Sequence, residues 1–335
     1  MYSIEEIKNI LITQYNNNNK FTIIFPEGEE DKIVSISRTL VDQQLCKGLV
    51  FYQKKENIPH DCGKRENLSY VIIEEETELL DKFANQLFEM RKGKVTQEDA
   101  KKLVLLPNYF GAMYIYNKMA DCMLSGLRTT TADVIRPALQ IIKTRSDVGV
   151  AASAIIMKSA SNEFIFADCS LNLDPIATEL VSIAKLNNEF AKFCGIDKPE
   201  VALLSYSTFG SGQGASPKKV EEAVEQLSKE KDLYYGPIQF DAAVDKDVRF
   251  KKAPKLKALK QSPDVFVFPN LDSGNIGYKI LQRMGGFNAF GPFILGLNQP
   301  VNDLSRGSTY DDIYGAAIIT LYQAYMAQIS QKGKK

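Results

Sequence analysis

Three loops and one helix approach concentrate the residue types that do chemistry. The first, LLSYSTFGSGQGASPKK (203–219), runs from a β-branched strand candidate through Gly210, Gly212 and Gly214 towards a helix. Glycines let backbone N–H groups close on an anion, and Ser207, Thr208 and Ser211 add hydroxyl donors, so this loop can hold a phosphate or pyrophosphate. It is neither a dinucleotide GxGxxG nor a Walker A loop, and a plain strand-to-helix connection remains the other reading. The second, FPNLDSGNIGYKI (268–280), places Asp272, Ser273, Gly274 and Asn275 at a similar junction, either as a ligand loop or as a capping turn. The third, MLSGLRTTTADVIRPALQ (123–140), sets Thr129, Thr130 and Thr131 before a helix, with Thr130 and Asp133 at capping-box spacing. Arg136 stands directly before Pro137, which should bend or break that helix. An arginine at such a break can aim its planar fork at a phosphate, or can be a surface charge.

The approach to the last helix, PVNDLSRGSTYDDIYG (300–315), reads first as a helix start. Ser308 and Asp311 have the S-x-x-D spacing of a capping box, and Asp312 suits the positive end of a helix. Ile313, Ala316, Ala317, Leu321 and Ala324 trace a buried face. Ser305 and Arg306 are left over, on the loop before the cap, so the stretch is either a helix start alone or a helix start that carries an active site.

The elements that must position these loops are legible in the pattern. FTIIFPE, KGLVFY, SYVII, EFIFAD, VALLSYS, DVFVFPN and PFILGL are apolar runs bounded by Gly, Pro and Asp, the signal of strands buried on both faces in an α/β protein. Between them the spacing predicts helices over 77–91, 175–193 and 217–229, the last two capped by Asp174 and Ser216 with proline at the first helical position. The first residues make an amphipathic helix with Ile4, Ile7, Ile10 and Leu11 on one side. In open α/β sheets ligands bind where strands deliver their carboxyl ends into loops, which is where the Gly- and hydroxyl-rich segments fall.

The bulk numbers narrow the partners. The chain has 335 residues, with Lys+Arg 41 against Asp+Glu 41, so it suits about two domains and carries no field that would draw it to nucleic acid or an anionic membrane. A small-molecule partner fits better. No signal peptide and no bilayer-spanning stretch is apparent, which places the protein in the cytoplasm. Five cysteines (Cys46, Cys62, Cys122, Cys169, Cys194) without a CxxC read as free thiols rather than a zinc site or disulfide framework. The single histidine, His60, lies in a polar stretch, which argues against His-rich metal sites and Ser-His-Asp chemistry.

Taken in order, FPEGEED (25–31), RKGKVT (91–96), SGLRTTTADVIRPALQIIKT (125–144), FADCSLNLDP (166–175), ALLSYSTFGSG (202–212), IQFDAAV (238–244), FPNLDSGNIGYKI (268–280) and GLNQPVNDLSRGSTYDDI (296–313) resemble the phosphate acetyltransferase family. That family interconverts acetyl-CoA plus phosphate with acetyl phosphate plus CoA. The resemblance implies a two-domain α/β fold of mostly parallel sheets flanked by helices, similar to the isocitrate dehydrogenase group, with the active-site cleft between domains. It implies residues 1–149 with 298–335 as the first domain and 150–297 as the second, a homodimer, and a place in acetate metabolism.

The resemblance further implies that Asp312 takes the proton from the CoA thiol, Ser305 hydrogen-bonds the reacting acyl group and Arg306 holds the phosphoryl end. Arg91 and Arg136 match two more arginines of the family's anion-binding set. Thr131, Lys32, Asn275 and the Gly-rich loop residues Ser207, Thr208, Gly210 and Ser211 complete the expected contacts to substrate or CoA phosphates. Coenzyme A is expected as co-substrate, with no tightly bound cofactor and no metal. The chain departs from many relatives at Lys32, where arginine is frequent, at Thr129, where histidine is common, and at Phe209 and Gln213, where lysines are frequent. A phosphate butyryltransferase is the nearest alternative, and an NAD(P)-dependent decarboxylating dehydrogenase of the same fold the alternative in another class. The direct route of thiol attack competes with an acyl-enzyme on Ser305 or Cys169.

Overall fold

A computed structural model describes residues 1–59, 65–256 and 259–332. His60 and Cys62 lie outside the described residues. Strands β1 (Thr22–Phe25), β2 (Lys47–Tyr52), β3 (Leu68–Ile72), β4 (Cys122–Ser125), β5 (Ala152–Lys158), β6 (Glu163–Ala167), β7 (Glu200–Leu204), β8 (Leu233–Ile238), β9 (Val265–Val267), β10 (Asn288–Leu295) and β11 (Val301–Asp303) alternate with helices. They form two sheets, one in each of two compact units: Tyr2–Lys143 with Leu297–Lys335, and Met1 with Thr144–Gly296.

In the unit that holds the C-terminus, the sheet order is β11-β4-β1-β2-β3 and all pairs are parallel. Ile23, Ile24, Phe25, Val50 and Phe51 are buried, as continuous apolar strands covered by helices on both faces require. On one face Phe51, Phe83, Phe110 and Tyr114 interlock edge to face or tilted, with centroids 5.1–5.8 Å apart. The parallel arrangement brings the carboxyl ends of β1, β4 and β11 to one edge, where residues 26–28, 126–130 and 304–309 emerge together.

In the other unit the order is β10-β5-β6-β9-β7-β8. The pairs β6-β9, β9-β7 and β7-β8 are parallel, whereas β10-β5 and β5-β6 are antiparallel. Phe166 packs between Phe266 and Phe268 at 5.3 and 5.1 Å in a core shared with Ile155, Leu204 and Ile238.

Each of the seven apolar runs delivers a strand. Four further strands have weak local signals: β4 reads Cys-Met-Leu-Ser with no β-branched residue, β11 holds the polar Asn302 and Asp303, β5 opens on Ala-Ser-Ala, and β8 contains Gly236 and Pro237. Two helix starts differ from the sequence expectation. The helix Ala177–Phe193 begins after Ile176, whose N–H donates to Glu179 Oε2 at 2.9 Å, while Asp174 is held by Lys219 instead. The helix Ala215–Leu227 begins after Gly214 rather than Ser216, so Pro217 sits at the third helical position, still among the residues whose N–H needs no intrahelical acceptor. Pro137 acts as expected: the α-helix Thr131–Pro137 gives way to a wider π turn over Ala138–Ile142.

Candidate active site

Glu27 organises the β4 loop. Its buried carboxylate, just past the end of β1, accepts from the backbone N–H groups of Gly126 (3.0 Å), Leu127 (2.8 Å), Arg128 (2.9 Å) and Thr129 (3.1 Å), and from the Thr129 hydroxyl (3.0 Å). Successive N–H groups gathered on one carboxylate fix the loop's path. Gly126, at φ +111°, is tightly boxed: a Cβ there would lie 2.1 Å from Asp303 Oδ1 and 2.7 Å from the Leu304 nitrogen. The loop then enters the helix Thr131–Pro137 through the expected Thr130–Asp133 capping box.

The β11 loop carries Ser305 and Arg306, both exposed. Its turn is closed by Ser308 N–H donating to the Ser305 carbonyl at 2.9 Å, and by Gly307 N–H reaching Ser305 Oγ at 3.4 Å. Ser308 is buried, and its carbonyl accepts from Lys32 Nζ at 3.0 Å. Lys32, expected at a phosphate, spends one of its three N–H donors on tying the helix Asp31–Asp42 to this turn.

The capping box of the last helix, Tyr310–Lys332, is one residue later than its first match in sequence. Thr309, not Ser308, is the cap: Asp312 Oδ2 accepts from Thr309 N–H and from Thr309 Oγ1, each at 2.8 Å, and Thr309 Oγ1 accepts from Asp312 N–H at 3.2 Å. Asp311 takes no part in the cap. Ser308 is unavailable because its backbone already closes the Ser305 turn. Both bonds fall on Oδ2, which leaves Asp312 Oδ1 for another partner.

Arg91 ends the helix Thr77–Met90, and its Nε is buried with no partner among the described residues. Arg91 and the exposed Arg136 both bear electrostatically on the Tyr109 phenol, whose pKa burial pushes up and these two cations oppose. The same unit thus holds Lys32, Arg91, Thr131, Arg136, Ser305, Arg306 and Asp312.

Ser207, Thr208, Gly210, Ser211 and Asn275 belong to the other unit. There the Gly-rich loop is braced by its own hydroxyls. Ser207 Oγ donates to the Gly212 carbonyl (3.0 Å) and accepts from Gly212 N–H (2.9 Å), and Ser211 Oγ accepts from Thr208 N–H at 2.9 Å. Thr208 Oγ1 accepts from Gln239 N–H at 3.0 Å. Gly210, at φ +87°, has open space beside it. The Asn275 amide is also engaged, donating to the Cys169 carbonyl at 2.9 Å and accepting from Lys279. Cys169 is fully buried, and burial pushes its thiol well above the ordinary range, an environment that suppresses the nucleophilic thiolate. Cys46, Cys122 and Cys194 are likewise free and buried.

Sequence reasoning passed over three residues that hold this site: Glu27, Asp303 and Thr309. The first two share a signal that was available, a carboxylate at the carboxyl end of a buried parallel strand, where only a specific set of donors makes burial tolerable. Among the described residues no cluster of His, Cys, Asp and Glu is arranged to hold a metal ion, and no helix is long and apolar enough to cross a membrane.

Comparison with known proteins bears on what these groups do. A family model described as phosphate acetyl/butaryl transferase matches residues 7–321. The chain is 48% identical over 328 residues to a phosphate acetyltransferase of Mycoplasma capricolum, covering 97% of this chain and all of that protein. Among solved structures, a phosphotransacetylase from Streptococcus pyogenes is similar at a TM-score of 0.85 and 39% identity, over 97% of this chain and all of that one. A putative 4-hydroxythreonine-4-phosphate dehydrogenase from Salmonella typhimurium, at TM-score 0.51, 13% identity and 91% of this chain against 99% of its own, shares the fold alone.

Proposed function

This chain belongs to the phosphate acetyl/butaryl transferase family, and from that premise we propose that its Ser305–Asp312 turn transfers acetyl directly between the CoA sulfur and phosphate. The enzyme is an acyltransferase of the phosphate acetyltransferase class, interconverting acetyl-CoA and phosphate with acetyl phosphate and CoA. The observation that carries the mechanistic reading is the turn itself: Ser305 and Arg306 stand exposed on a loop closed by Ser308, next to a carboxylate with one oxygen uncommitted.

In the direction of CoA acetylation, the thiol sulfur attacks the acyl carbon of acetyl phosphate. The S–C bond forms, the C–O bond to phosphate breaks, and the thiol proton passes to Asp312. Ser305 donates to the developing oxyanion and Arg306 holds the phosphoryl oxygens. Moving a proton from an ordinary thiol to an ordinary carboxylate is uphill by about 6 kcal/mol, so free thiolate is not an intermediate. Proton transfer concerted with attack avoids it, and acetyl phosphate is already activated, so alignment of the two substrates supplies much of the remaining acceleration. Arg91, Arg136 and Thr131 then serve phosphate groups of the substrates. In the other unit, Ser207, Thr208, Ser211 and Asn275 serve chiefly by fixing backbone that contacts CoA phosphates, because their side chains are spent internally, and Gly210 serves by its open backbone. Lys32 acts through the Ser308 carbonyl. CoA is bound and released as a substrate, and no metal is needed for this route.

The test is phosphate-dependent cleavage of acetyl-CoA, followed by release of free thiol. Thiol release that requires phosphate and runs faster with acetyl-CoA than with butyryl-CoA is expected; release indifferent to phosphate, or faster with butyryl-CoA, contradicts this reading. The enzyme would act in the cytoplasm as a homodimer. Support for the dimer is an apolar stripe on the helix Leu271–Met284, where Ile276, Ile280 and Met284 follow at i, i+4 and i+8 and are 57%, 55% and 85% exposed. Two copies of one helix face make a self-complementary two-fold contact. Sedimentation should show a dimer that Ile280→Glu converts to monomer; a wild-type monomer at micromolar concentration contradicts it.

A further inference from the structure

Asp303 is the last residue of β11 and leads into the Ser305 loop. It is 2% exposed, and its Oδ2 is 2.5 Å from the hydroxyl of Thr131, a residue that is itself exposed. Its Oδ1 is buried and without a hydrogen-bond partner among the described residues, lying against Gly126 at the place where a Cβ would otherwise sit. Glu27 holds the other side of that glycine through the Gly126 N–H. An ionised carboxylate whose donors are one hydroxyl and a Leu304 N–H already committed to the Ser125 carbonyl at 2.7 Å, with a second carboxylate across a glycine, is a costly arrangement. A neutral carboxyl suits the geometry: the proton sits on Oδ2 in the short bond to Thr131, and the carbonyl oxygen Oδ1 needs no strong donor.

The protonation state sets the direction of the Thr131 hydroxyl. With Asp303 ionised, Thr131 must donate inward. With Asp303 neutral, the carboxyl O–H donates to Thr131 Oγ1, and the Thr131 proton is free to point outward. We propose that Asp303 is a positioning residue that keeps a proton on the bond to Thr131 and so turns the Thr131 hydroxyl outward as a donor to a phosphate oxygen of the substrate. This rests on the reading of the neighbouring Ser305–Arg306 loop as the phosphoryl site. Burial first, and Glu27 after it, push the Asp303 carboxyl up to about 7, against the hydrogen bonds from the Thr131 hydroxyl and, more weakly, the Leu304 N–H that oppose them. Among the elements packed on β11, the loop after β4 presents Gly126, the helix Thr131–Pro137 carries Asp133, bonded to Thr130, and the exposed Arg136, neither of which bears on Asp303, and the helix Tyr310–Lys332 presents Thr320 and Gln323, which are spent on Asn302. The charged group that bears on Asp303 is therefore Glu27.

The experiment is the KM for phosphate and kcat in the wild type, Asp303→Asn and Thr131→Val across about pH 6 to 9. In Asp303→Asn the amide donates to Thr131 at every pH, copying the neutral carboxyl. The ratio of wild-type to Asp303→Asn KM should rise about tenfold as pH passes through about 7, the loss of one hydrogen bond to a charged group, with kcat changing much less. Thr131→Val, at an exposed position, should have at low pH the raised KM that the wild type reaches only at high pH. Parallel pH profiles in the wild type and either variant overturn the proposal. Carbon-13 NMR of aspartate-labelled wild-type protein provides an arm that needs neither activity nor a folded variant. A carboxyl titrating near 7 and moved upward by inorganic phosphate is expected, and its absence overturns the assignment even if transferase activity is present. If the resonance titrates so but no phosphate-dependent thiol release occurs, the failure lies with the proposed reaction and not with Asp303.

Discussion

Asp312→Asn should lower kcat by about 10²–10⁴-fold while leaving the KM for CoA within a few-fold of wild type, the signature of a proton acceptor used in the transition state. The structure adds a complication, because the same carboxylate caps the last helix through Thr309. Weakening an N-terminal cap costs about 0.5–2 kcal/mol, which alone can disturb the turn. Thr309→Ala separates the two roles. It removes the hydroxyl half of the capping box and leaves the Asp312 carboxylate in place, so its stability should fall by a similar amount while kcat stays within about tenfold of wild type. Equal losses of kcat in the two variants would make Asp312 a structural residue. Its uncommitted Oδ1 is the reason to expect otherwise.

The largest stability effect is expected at Asp168→Ala. This buried carboxylate follows β6 and accepts from the N–H groups of Ser153 (3.3 Å), Ser170 (2.9 Å), Leu171 (3.0 Å) and Asn172 (3.3 Å), from the Ser153 hydroxyl, and from Asn172 Nδ2 (2.5 Å). The loop it gathers passes under the helix Leu271–Met284, where a Cβ on Gly274 would lie 2.3 Å from the Asp168 carbonyl oxygen. Removing the acceptor strands several buried donors at once, so a loss of about 3–5 kcal/mol is expected for this unit. Urea unfolding monitored by hydrogen exchange in β5, β6 and β9 measures it. A loss under about 1 kcal/mol would mean that water replaces the carboxylate, as exposed sites allow. Asp168→Asn should lie between, since its amide keeps one acceptor and sets an NH2 against the same donors.

Much of this was legible in the sequence, and what was not has local causes. Continuous apolar runs announced β1, β2, β3, β6, β7, β9 and β10, because strands covered on both faces need no polar alternation. β11 was hidden by its composition: Val301-Asn302-Asp303 puts two polar residues in three, tolerable only because Asn302 is bonded to Thr320 and Gln323 and Asp303 to Thr131. The start of the last helix was legible in kind but not in register. Ser308/Asp311 and Thr309/Asp312 both satisfy the capping spacing, and the choice is made by Lys32, some 276 residues away in sequence, and by the Ser305 turn, which together occupy the Ser308 backbone. Asn275 and the hydroxyls of Ser207 and Ser211 read as ligand donors from composition, yet their nearest acceptors and donors are within their own unit. Local pattern states which groups are present; only the fold states which are left unsatisfied.

The central claim is that acetyl passes between sulfur and phosphate in one step on the Ser305–Asp312 turn, with no acetyl bound to the protein. Initial rates with both substrates varied test it most directly. Intersecting double-reciprocal lines, with no acetyl label retained by the protein after incubation with acetyl phosphate alone, are the predicted result; parallel lines with label on Ser305 or Cys169 would contradict it.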